Sequence, residues 1–111
     1  MVNEKRFHDQ LKEKMDDYVH LLYTITKNFP KEELYGVTSQ LRRSALSVVL
    51  NYIEGYARKK NKVMRNFLEI SYASLKESMY LLEFSEKENF ELDKNKYLEA
   101  QKLLDDIGAM L

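Results

Sequence analysis

Gln40-Leu41-Arg42-Arg43-Ser44-Ala45-Leu46-Ser47-Val48-Val49-Leu50-Asn51-Tyr52-Ile53-Glu54-Gly55-Tyr56-Ala57-Arg58 is the stretch that decides the fold. Its polar residues Gln40, Arg43, Ser47, Asn51, Glu54 and Arg58 recur every three or four positions. On a helix they fall within an arc of roughly 80°. The remaining residues are nearly all apolar and cover roughly 220°, against the stripe of about 100° that a surface helix needs. Such a helix must be covered on two sides. A single small chain has too little other surface to do this, so the pattern predicts a homo-oligomer.

The rest of the chain repeats the helical period. Phe7, Leu11, Met15, Tyr18, Leu22, Ile25 and Phe29 mark one face of a first helix, expected over 3–28. Phe29-Pro30 ends it, since the residue before proline is pushed out of the helical region. A second helix is expected from a cap at Thr38 to Arg58, with Gly55 inside it at a cost of about 1 kcal/mol relative to alanine. That cost points to a neighbouring backbone lying close. Asn61 is the expected cap of a third helix running to Lys87, along which Ser71, Ser74, Ser78 and Ser85 form a seam of small residues between two apolar flanks. Asp93 is the expected cap of a fourth, whose buried face is marked by Tyr97, Ala100, Leu104, Ile107 and Leu111. Short connections make neighbouring helices antiparallel. The expected fold is all-α: one domain over 1–111, an antiparallel up-down-up-down four-helix bundle.

Composition narrows the function classes. In 111 residues there is room for one core and not two. Without cysteine there are no disulfides or thiolate metal sites, which fits a cytoplasmic protein. The longest apolar runs are a few residues, too short to span a membrane. His8 and His20 lack metal-ligand spacing: Asp17-x-x-His20 is a single approximate motif where a di-iron bundle needs two Glu-x-x-His motifs and two further glutamates. No phosphate-binding glycine loop or activated nucleophile is present, so neither catalytic residue, metal nor cofactor is expected.

Charge is balanced overall but segregated. Residues 42–65 carry seven basic side chains against Glu54, a net +6, while 66–111 carry five basic against ten acidic, a net −5. The corner Arg58, Lys59, Lys60, Lys62 and Arg65 joins two helices beside a helix N-terminus, a setting that attracts phosphate, and Tyr56 nearby could stack on a base. One reading makes it an RNA- or DNA-binding surface. The other makes it a solvated, charge-rich turn. The polar stripe also has two readings: a functional centre built on Asn51 and Glu54, or hydrogen bonds to the serine seam and to Arg43 and Arg58 that fix helix register.

Taken together, Gln40-Leu41-Arg42-Arg43-Ser44-Ala45, Asn51-Tyr52-Ile53-Glu54-Gly55, Arg58, Phe67-Leu68-Glu69-Ile70 and Ser74-Leu75-Lys76-Glu77 resemble the four helix bundle proteins encoded by intervening sequences of bacterial 23S rRNA genes. Phe29-Pro30 with Glu33 and Gly36 also fits, so the resemblance covers essentially the whole chain. It differs at Ile53, where the family has a small residue, and at Ala73, where it has glycine. The resemblance implies pentameric rings of antiparallel bundles. It also implies, for one branch, a reverse transcriptase and nucleic acid as partners bound through a basic surface. In the family's pattern stand Arg43, Asn51, Glu54, Gly55, Ser74 and Glu77, with Ser47 completing the stripe on this chain's own spacing. The expectation is a non-catalytic oligomeric scaffold associated with RNA. The alternative is a protein-interaction module without nucleic acid.

Overall fold

The computed structural model describes residues 2–58, 60–90 and 92–111. Helices α1 (Val2–Thr26), α2 (Val37–Ala57), α3 (Asn61–Lys87) and α4 (Lys94–Met110) form the expected four-helix bundle, with a 3₁₀ turn at Lys31–Glu33 between the first two. Each helix packs on its neighbours in the chain, and α4 closes the ring against α1. Cross-helix contacts give the directions. Ser47 meets Ser74 while Gly55, later in α2, lies against Met64 and Phe67, earlier in α3, and His8 meets Tyr52 while Thr26 meets Arg42, so α1–α2 and α2–α3 each run antiparallel.

The first helix places Leu11, Met15, Tyr18, Leu22 and Ile25 in the core, as their spacing requires, but Phe7, expected on the same face, is 46 % exposed because it lies at the open end of the bundle. It stops at Thr26, two residues before the expected end. The backbone N–H of Asn28 and of Phe29 reach only three residues back, to Ile25 and Thr26, as the chain tightens ahead of Pro30. Asp93 caps α4 as expected, accepting from the N–H groups of Asn95 and Lys96. Two other expected caps are displaced. Gly36 occupies the cap position of α2, and Thr38 is buried within the first turn; Lys60, not Asn61, precedes α3.

At the end of α3, Asn89 takes a left-handed conformation at φ 58°. Phe90 N–H then bonds to Ser85 carbonyl and Asn89 N–H to Glu86 carbonyl, the double bond of a Schellman motif. The same turn packs the Phe90 ring against Phe84 and Phe29, which closes this end of the bundle with aromatic side chains.

No helix of the described residues is long and apolar enough to cross a membrane.

Candidate nucleic-acid interface and the polar stripe

The stripe on α2 divides into an inner and an outer part. At its centre the Ser47 and Ser74 hydroxyls hydrogen-bond at 2.7 Å, joining α2 to α3. Asn51 donates from its amide to the Ser47 hydroxyl and to the Ser47 carbonyl, both at 2.9 Å. Ser71 donates to the Val48 carbonyl across the same seam at 2.7 Å. Small side chains permit this approach. A Cβ on Gly55 would lie 3.0 Å from Phe67 Cβ and 3.2 Å from the Met64 carbonyl oxygen, both closer than a normal contact.

Toward its outer end the stripe becomes polar surface. Glu54 accepts from Arg58 one turn on, in a half-exposed ion pair, and the Arg58 guanidinium lies over the Phe67 ring at 5.5 Å from its centre. Arg43 and Glu77 are exposed. Among the described residues, no buried side-chain nitrogen or oxygen lacks a partner.

Deeper in the seam, Tyr18 on α1 hydrogen-bonds Ser78 on α3 across the bundle diagonal. Burial pushes the Tyr18 phenol well above the ordinary tyrosine range, so it stays neutral. His20 sits on the outer face of α1, 3.5 Å from Asp16, rather than beside Asp17 in a metal site. Among the described residues no cluster of three or more histidine, aspartate or glutamate side chains could hold a metal ion.

The basic corner is drawn together at one end of the bundle. Arg58 ends α2, Lys60 caps α3 through its carbonyl, and Lys62 and Arg65 project from the first turns of α3; all four are exposed. Lys59 lies outside the described residues. No side chain caps the N-terminus of α3, so its first N–H groups have neither an intrahelical nor a side-chain partner. A helix N-terminus with unpaired donors near positive side chains is a setting that favours anions in general.

A second cluster at the same end was not apparent in the sequence. His8 on α1 stacks on Tyr56 with ring centres 3.6 Å apart, and its Nδ1 lies 2.9 Å from the Tyr52 hydroxyl. These residues are 44 and 48 positions apart, and only the antiparallel register of α1 on α2 brings them together.

No curated protein matches the chain. Residues 9–111 match the family model described as 23S rRNA-intervening sequence protein, nearly the full length of all four helices. The chain belongs to that family.

Proposed function

We propose that this protein is a non-catalytic, cytoplasmic helical scaffold that assembles as a homo-oligomer and associates with RNA through Arg58, Lys60, Lys62 and Arg65. The observation that carries the RNA reading is the uncapped N-terminus of α3 among exposed cations. Lys60, Lys62 and Arg65 form no ion pair among the described residues, so their charge is available to phosphate. Lys59 extends the same run in sequence.

Assembly is supported by the outward face of α2. Leu46, Leu50 and Ile53 lie on one line of that helix and are 37 %, 60 % and 40 % exposed. On α3, Val63 and Ile70 are similarly uncovered. Burying the exposed part of each such side chain contributes on the order of 1 kcal/mol. A contact of micromolar strength needs about 8 kcal/mol after the cost of association. The α2 row alone is too small for that, so the contact must also take in α3. A ring of five copies is the arrangement the resemblance implies, and it would repeat the basic corner in every subunit.

Gel-shift titration with single-stranded RNA tests the RNA reading. Retention at low salt that falls as salt rises is expected, with a log–log slope of about −0.7 per phosphate contacted. Lys62→Glu with Arg65→Glu should abolish it. Absence of retention at low salt would dispose of RNA binding.

One observation favours the alternative, a protein-interaction module: Glu54 already neutralises Arg58, which weakens the corner's charge. Capture of a partner, such as a reverse transcriptase, that survives nuclease treatment while RNA is not retained would select this second reading.

A further inference from the structure

The two ends of the bundle differ. Phe29, Phe84 and Phe90 fill one. At the other, a cavity of about 470 Å³ opens between the starts of α1 and α3 and the finishes of α2 and α4. This volume lies within the range of small-molecule sites. Leu11, Met64, Leu68 and Met110 form an aliphatic wall, and Phe7, His8, Tyr52 and Tyr56 an aromatic one.

Three features define what would fit. The His8 and Tyr56 rings, stacked on one another at an inclination of 14°, leave their outer faces for a further ring. Tyr52 supplies a polar anchor held in place by its hydrogen bond with His8. Burial pushes its phenol up to about 12, with smaller contributions from Tyr56 and Asp9, so the hydroxyl is intact at neutral pH. Whichever of the two partners donates in the His8–Tyr52 bond, the Tyr52 oxygen keeps either its O–H or a lone pair for a ligand. Finally, Glu4 is the charged residue of the lining, and among the described residues no lysine or arginine contributes to it. An anion would meet the Glu4 carboxylate there and no lysine or arginine.

We propose that this cavity is a binding site for a small neutral aromatic molecule, stacked along the aromatic wall and hydrogen-bonded to the Tyr52 hydroxyl. The site uses none of the basic-corner side chains, so it stands or falls independently of RNA association.

Indole serves as the neutral probe and benzoate as its anionic counterpart, titrated into the full chain in its native assembly and followed by saturation-transfer and protein NMR. Indole should saturate in the millimolar range or tighter, with shifts at His8, Met64 and Leu68, and benzoate should bind at least tenfold more weakly. Met64→Trp, which fills the cavity, should weaken indole at least tenfold. Tyr52→Phe should weaken it about fivefold, the loss of one hydrogen bond. If Met64→Trp does not give the helical spectrum of the parent, Met110→Trp replaces it. Absence of indole saturation, equal binding of benzoate, or undiminished indole binding by the folded filled variant would overturn the proposal.

Discussion

The inner and outer faces of the α2–α3 hairpin are built from the same kinds of residue and end in opposite states. Inward, Leu41, Ala45, Val48, Leu75 and Leu82 are sealed, and the serine seam is satisfied bond by bond. Outward, Leu46, Leu50 and Ile53 stand in solvent beside a half-exposed Glu54–Arg58 pair. Isolated exposed aliphatic side chains are ordinary, and a row of them at helical spacing on the most apolar helix is what the proposed assembly would cover. The difference teaches that one chain completes its polar accounts and not its apolar ones. Among the described residues the buried side-chain hydrogen-bonding groups all find partners within one chain, whereas Leu46, Leu50 and Ile53 of α2 stay uncovered.

The sharpest contrast should come from leucine truncation. Leu22→Ala, in the sealed core, should lower unfolding free energy by about 2–5 kcal/mol in urea denaturation. Leu50→Ala should leave the stability of an isolated chain within about 0.5 kcal/mol, and its effect should appear instead in the assembly equilibrium. Comparable losses of single-chain stability from both would erase the distinction between the faces.

Next in size is the serine seam. Ser78→Ala removes the partner of a buried phenol and should cost about 1–3 kcal/mol. Adding Tyr18→Phe should recover part of that loss, because the orphaned hydroxyl goes with it. No recovery in the double variant would mean that packing, rather than the hydrogen bond, holds the diagonal.

Alkaline stability probes the same face by another route. The folded Tyr18 phenol titrates above the unfolded one, so the folded state holds its proton more tightly. Its contribution is therefore fully present below pH 10, the ordinary tyrosine value, and declines as pH rises beyond it. The slope is about 1.4 kcal/mol per pH unit for each such group. Denaturation curves in that window should flatten by about one group's worth in Tyr18→Phe. An unchanged slope would remove Tyr18 from the account.

Smallest is the outer ion pair. Arg58→Ala should change stability by only about 0.3–0.5 kcal/mol, less at high salt, because both partners are half exposed. A cost well above this, not matched by Glu54→Ala, would assign the effect to the Arg58 contact with the Phe67 ring and not to the ion pair.

Much of this was legible in the sequence, for identifiable reasons. The core stripe of α1, the extent of α3 and the Asp93 cap rest on local spacing and local hydrogen bonds, which a chain writes directly. Thr38 misled because a cap residue and a buried first-turn threonine look alike until a neighbouring helix covers one of them. Asn89 escaped notice although asparagine tolerates the left-handed conformation; the signal was there in its position just beyond Lys87, with Phe84 and Phe90 spaced to pack around it. The His8–Tyr52–Tyr56 cluster could not be read at all. Periodicity says which face of a helix is buried, but not how far one helix is shifted along another, and that shift creates the cluster and its cavity.

Sedimentation equilibrium of the intact protein at tens of micromolar, beside Leu50→Glu with Ile53→Glu, tests most directly whether α2 is completed by other copies. The parent should sediment at a multiple of 13.3 kDa and the variant as a folded, single-chain particle. A parent that sediments as a well-folded 13.3 kDa species would contradict completion of α2 by other copies.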